Sequence, residues 1–62
     1  MSTQQNHPFA LAQNRNFTFV TAASSITGKY LGENQFEFWV VKDLTNRLVA
    51  INPDQVITYF NA

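Results

Sequence analysis

The side chains able to do covalent or acid–base chemistry are few in this 62-residue chain, and their spacing does not assemble them. Cys is absent and His7 is the only histidine. That removes thiolate zinc sites, disulfides and cysteine nucleophiles together, and leaves His7 without a second ligand at metal-site spacing. Glu33 and Glu37 are four apart, but the surrounding pattern is extended and assigns them to different elements. Ser24 and Ser25 have no base nearby in the sequence. The expectation is a protein that is not an enzyme and holds no cofactor or metal.

What remains is aromatic and amide chemistry. Aromatic residues make up 15% of the chain, and there are seven Asn and five Gln, a composition that can hydrogen-bond to polar edges without relying on charge. Four Lys or Arg balance four Asp or Glu. Zero net charge argues against a strongly basic nucleic-acid clamp, because phosphate affinity rises with each cation placed on the backbone. It leaves weaker or base-directed binding open.

These groups must be positioned by short strands. Residues 1–7 are polar and aperiodic and read as a flexible arm; residues 8–62 read as one domain. Asn6 can cap, and Pro8 suits, a short N-terminal helix of two turns over 8–14, too short to stand without a surface beneath it. From Asn16 the period changes to two, which predicts strands over 17–22, 26–33, 36–42, 47–51 and 56–60. Ser24-Ser25, Asn34-Gln35 and residues 43–46 read as the connections, and Pro53 breaks the ladder within 52–55. Gly28 and Gly32 inside the second strand mark a bulge, a bend or a close backbone approach. The expected fold is therefore mainly β, a small five-stranded, strongly bent barrel with a short helix in front.

Apolar burial and ordering entropy nearly cancel in a domain of this size, and with no disulfide or metal available, self-association is the remaining source of stability. The sequence shows no apolar leader segment and no apolar run of about 18 residues. A cytoplasmic protein without a membrane span is expected.

Two stretches are similar to motifs of the Sm-like family, the LSm and Hfq small barrels. In the first, residues 28–36, Gly28 stands in the bent strand, an acidic or amide position (Asn34) follows six residues later, and a base-stacking aromatic (Phe36) two further on. Asn34-Gln35-Phe36 is similar to the Asp-Gln-Phe or Asp-Gln-Tyr connection of bacterial Hfq. The second, Ile51-Asn52-Pro53-Asp54-Gln55-Val56, falls where the family has apolar-Arg-Gly-x-x-apolar. The chain also resembles the phage-type Sm-like proteins of marine metagenomes, which would place it in the cytoplasm of a bacterial host. The resemblance implies a pentameric to heptameric homo-oligomeric ring that binds single-stranded RNA or DNA through Lys29, Asn34, Gln35, Phe36 and Asn52. Three departures weaken the uridine pocket that it implies. Phe38 stands where the eukaryotic and archaeal family has Asn, Asn52 and Pro53 replace Arg and Gly, and no match to the Lys-His pair of Hfq is evident.

Each of these residues also has a plainer role open to it. Phe36, Phe38 and Val40 alternate and could form one core face, with Phe36 packed rather than stacked on a base. Asn52 could cap the turn made by Pro53 and Asp54. Lys29, Lys42, Arg15 and Arg47 could be scattered solvated charges, or be gathered by ring symmetry. The alternative function is an SH3-like structural or protein-adaptor barrel in which Tyr30, Trp39 and Tyr59 pack a core or hold a protein partner and meet no nucleic acid.

Overall fold

The computed structural model describes residues 11–62. Five strands follow one another, β1 (Asn16–Thr21), β2 (Ser25–Glu33), β3 (Trp39–Asp43), β4 (Leu48–Ile51) and β5 (Val56–Asn61), with one 3-10 turn (Pro53–Gln55) between the last two. Every pairing is antiparallel, and the strands form one open sheet ordered β4-β3-β2-β1-β5. The edges of that sheet are β4 and β5. Among the described residues no helix is long and apolar enough to cross a membrane.

The expected N-terminal helix is not found. Its first residues, 8–10, and the arm over 1–7 lie outside the described residues, while 11–14 are irregular and end in a turn, with Asn14 at φ 66°. Pairing with β2 displaces the helix here. The Asn14 N–H donates to the Tyr30 carbonyl at 2.7 Å, the Tyr30 N–H donates to the Arg15 carbonyl at 3.0 Å, and Gln13 Nε2 donates to the Leu31 carbonyl at 3.0 Å. Ladder bonds to a formed strand outweigh helical bonds in a segment too short to sustain a helix alone.

The core is built by alternation on the inner face, except on β5, where the register shift between Val20 and Thr21 turns both Val56 and Tyr59, three residues apart, inward. Phe17 and Phe19 of β1, Tyr30 of β2, Trp39 and Val41 of β3, Ile51 of β4, and Val56 and Tyr59 of β5 are all buried. Five of these eight are aromatic, and their rings form a connected cluster. Phe19 lies 5.8 Å from Trp39 and 5.9 Å from Tyr59, and Trp39 meets Tyr59 edge-on at 5.7 Å. Edge-on contact sets the positive ring edge against the negative face and adds to the area buried.

Both glycines of β2 are required by geometry, each for a different reason. A methyl group on Gly28 would collide with the Lys42 carbonyl oxygen and stand 2.9 Å from the Asp43 Cα, so β3 can approach β2 closely only over a bare Cα. Gly32 has φ +126°, a conformation closed to other residues, and follows a register shift between Tyr30 and Gly32. This bulge leaves Leu31 unpaired and bends the strand.

The third strand starts later than the sequence pattern predicts. Residues 36–38 belong to the connection, the strand begins at Trp39, and its inner face is Trp39 and Val41. The alternation of Phe36, Phe38 and Val40 is therefore not a core face: Phe36 is 68% exposed, Phe38 is half-buried outside the core cluster, and Val40 sits on the outer face.

Candidate functional site

Two hairpin loops of one design flank β3. In loop 34–38 the Asn34 N–H donates to the Phe38 carbonyl and the Glu37 N–H to the Asn34 carbonyl, while Asn34 Oδ1 accepts from the N–H groups of Phe36 (2.9 Å) and Phe38 (3.0 Å). In loop 43–47 the Asp43 N–H donates to the Arg47 carbonyl and the Asn46 N–H to the Asp43 carbonyl, and Asp43 Oδ1 accepts from the N–H groups of Thr45 (2.9 Å) and Arg47 (3.0 Å) and from the Thr45 hydroxyl (2.8 Å). The fourth residue of each, Glu37 or Asn46, has φ 67°. A short Asx side chain thus serves as the acceptor that a tight turn needs.

Loop 34–38 holds its backbone rigidly and leaves Phe36 in solvent. The expected Asn34-Gln35 connection is in fact five residues long because the Asn34 side chain ties down Phe36 and Phe38. Gln35 is exposed beside Phe36. Asn52 is placed by the opposite strand: β3 pairs with β4 so that Trp39 faces Ile51, which brings loop 34–38 and turn 52–55 to the same end of that ladder. Asn52 Oδ1 accepts from the Asp54 N–H at 3.0 Å and caps the 3-10 turn. The side-chain oxygens of Asn34 and Asn52 are therefore committed to turns. Of the five candidate residues, Gln35 and Phe36 present free side chains at this end.

Lys29 is not with them. It lies on the outer face of β2, opposite Asn16 of β1 and Lys42 of β3. Three of the four acids are instead at the Phe36 end, with Glu33 closing β2, Glu37 in the loop and Asp54 in the 3-10 turn, while Asp43 leads the loop at the other end of β3. This charge separation is invisible in a net charge of zero. The register of β2 against β3 is what exposes it.

Tyr30, Trp39 and Tyr59, the aromatics that the alternative barrel would pack in a core or offer a partner, are 7%, 7% and 2% exposed and belong to the core. Burial, with Glu33 and Tyr59 adding to it, pushes the Tyr30 hydroxyl above its usual pKa. Among the described residues no group of three His, Cys, Asp or Glu side chains could hold a metal. A shallow recess of about 260 Å³ lies against Thr27, Asp43 and Leu44, but the Asp43 oxygen that would anchor a ligand there already serves its turn. Comparison with protein-family models, curated proteins and solved structures finds no match.

Two variants check this turn chemistry. Glu37 occupies a left-handed conformation in which a Cβ is strained, so Glu37→Gly is expected to raise stability by about 0.5–1 kcal/mol in a denaturant melt. Asp43 is held below the usual carboxylate range, first by the Arg47 N–H and then by the Thr45 hydroxyl. A lowered folded pKa stabilises the turn above the ordinary value of 3.8, and that contribution is lost as pH falls through the folded value. The amide resonances of Thr45 and Arg47 should therefore titrate below that pH. In Asp43→Asn the turn should persist without the titration, since an amide oxygen already does the same work at Asn34.

Proposed function

We infer that this chain is a small Sm-like barrel that assembles into a homo-oligomeric ring and binds single-stranded RNA or DNA by stacking bases on Phe36. The observation that carries this reading is Phe36 itself, 68% exposed on a loop whose backbone is fixed by three hydrogen bonds between Asn34 and Phe36 or Phe38. An aromatic on a backbone already fixed has only its side-chain rotamers to order on meeting a base, and base stacking is worth about 1–3 kcal/mol. Gln35 is next to it and free to pair with a base edge. Asn34 and Asn52 shape the site through the backbone and do not read the base through their oxygens.

The sheet order supports assembly. Edge strands β4 and β5 carry apolar side chains in water, Leu48 on the first and Ile57 and Phe60 on the second, which are 67%, 59% and 48% exposed. An unpaired edge with apolar side chains is a template for another strand, and β4 of one copy against β5 of the next removes both edges in a closed ring. Ring symmetry then repeats Phe36 around one rim. The alternative of a structural or protein-adaptor barrel fits these aromatics where they pack a core; a protein partner held on Tyr30, Trp39 and Tyr59 has less support, because all three are buried.

Fluorescence anisotropy with labelled oligouridylate, oligoadenylate and single-stranded DNA tests the binding. Modest affinity with a shallow salt dependence is expected, as the cations per chain are few. No binding to any of the three at low salt would overturn the nucleic-acid reading in favour of the adaptor.

A further inference from the structure

The outer face of the sheet carries a pairing that the fold itself does not need. Lys29 and Lys42 lie directly opposite each other on β2 and β3 and are both exposed, and the same row continues into Asn16 on β1 and Leu48 on β4. Like charges facing across two strands weaken a sheet. No acid relieves them. The registers put Asn16, Thr18 and Val20 of β1, Thr27 and Lys29 of β2, Val40 and Lys42 of β3, Leu48 and Ala50 of β4, and Thr58 and Phe60 of β5 on this face, and none of these side chains is a carboxylate; past Asn16 the row continues into Ala62, whose N–H donates to the Asn16 carbonyl at 3.1 Å. Asp43, next to Lys42, falls in the inner register opposite Gly28, and Glu33, beyond the bulge, stands opposite the core residue Trp39. Arg15 and Arg47 also lie in the inner register, through their backbone bonds with Tyr30 and Asp43. The outer face thus holds two adjacent ammonium groups, one amide and a Thr18–Thr27 hydroxyl pair at 2.9 Å.

We propose that Lys29 and Lys42, with Asn16 beside them, form a phosphate site on the outer face of β1–β3, where the backbone of a bound single strand lies. This rests on the nucleic-acid reading and divides the labour within it. Phe36 takes a base at an end flanked by Glu33, Glu37 and Asp54, where a phosphate would be repelled. The phosphates are drawn instead to the face whose side chains include no carboxylate. Strands are about 4.8 Å apart, so two lysines in register can reach one phosphate group.

The test compares the salt dependence of oligouridylate binding by the full chain, Lys42→Gln, Lys29→Gln and Arg47→Gln. Each lysine variant should flatten the slope of log K against log salt by about 0.7 for each phosphate no longer neutralised, with an unchanged or higher melting temperature because a repulsion is gone. Arg47→Gln should leave the slope unchanged. Equal flattening in all three variants, or none in the lysine variants, would overturn the site. Should the wild type bind no oligonucleotide, titration with inorganic pyrophosphate decides separately. Shifts of the Lys29 and Lys42 amide resonances that vanish in Lys42→Gln support a phosphate site, and their absence overturns it. If the lysine variants instead lower the mass seen by light scattering, the pair meets carboxylates of another copy and the phosphate site is wrong.

Discussion

Phe19→Ala is expected to lower the melting temperature by more than about 10 °C, or to unfold the chain outright. Phe19 is fully buried and its ring touches those of Phe17, Trp39 and Tyr59, so its removal opens a void at the centre of the aromatic cluster. Truncating a buried aromatic costs about 3–5 kcal/mol. A 62-residue domain has roughly 3–9 kcal/mol in total at 0.05–0.15 per residue, so the loss takes from about a third of it to all of it. Near-ultraviolet circular dichroism should lose its aromatic signal. Leu44→Ala, at a side chain 81% exposed on loop 43–47, is the matched control and should melt with the wild type. A cooperative Phe19→Ala melt within a few degrees of the wild type would show that the cluster does not hold the fold.

Phe36→Ala should do the reverse. The side chain is mostly in water and outside the core cluster, so the melting temperature should barely change. Binding of a labelled single strand should weaken by about 1–3 kcal/mol, the value of one stacked base. Phe38→Ala separates this from a general disturbance of the loop. Phe38 is half-buried and its N–H and carbonyl, not its ring, close the turn onto Asn34, so that variant should lose some stability and keep its affinity. A Phe36→Ala protein that binds as tightly as the wild type would remove the stacking role.

Most of the sheet is legible in the sequence, because period-two patterning over 17–22, 26–33, 47–51 and 56–60 matches β1, β2, β4 and β5 to within a residue or so. Gly28 and Gly32 likewise signal the close approach and the bulge that they make. The phase of β3 is the exception. Residues 36–41 are apolar at nearly every position, so alternation alone cannot choose between Phe36, Phe38 and Val40 or Trp39 and Val41 as the inner set. The deciding information lies outside the strand, in the Asn34 side chain, whose bonds to the backbone of Phe36 and Phe38 delay the strand start. The sequence does hold a signal for this. Asp43 opens a turn nine residues later with the same Asx-led geometry, and applying that turn at Asn34 puts Phe36 at the loop tip.

The N-terminal segment is illegible for a related reason. Its local pattern fits two helical turns, but Asn14 and Arg15 gain ladder bonds with Tyr30 that no local pattern reveals. At the candidate site, residue types point to Asn34 and Asn52 as base readers, while both oxygens serve turns. Sequence proximity groups Lys29 with the loop, yet the strand carries it to the outer face beside Lys42.

Assembly is the step on which a shared rim of Phe36 side chains depends, and light scattering on the purified chain at micromolar concentration measures it directly. Edges β4 and β5, with Leu48, Ile57 and Phe60 in water, predict a single species with the mass of several chains. A well-folded species with the mass of one 7.1 kDa chain would contradict the ring.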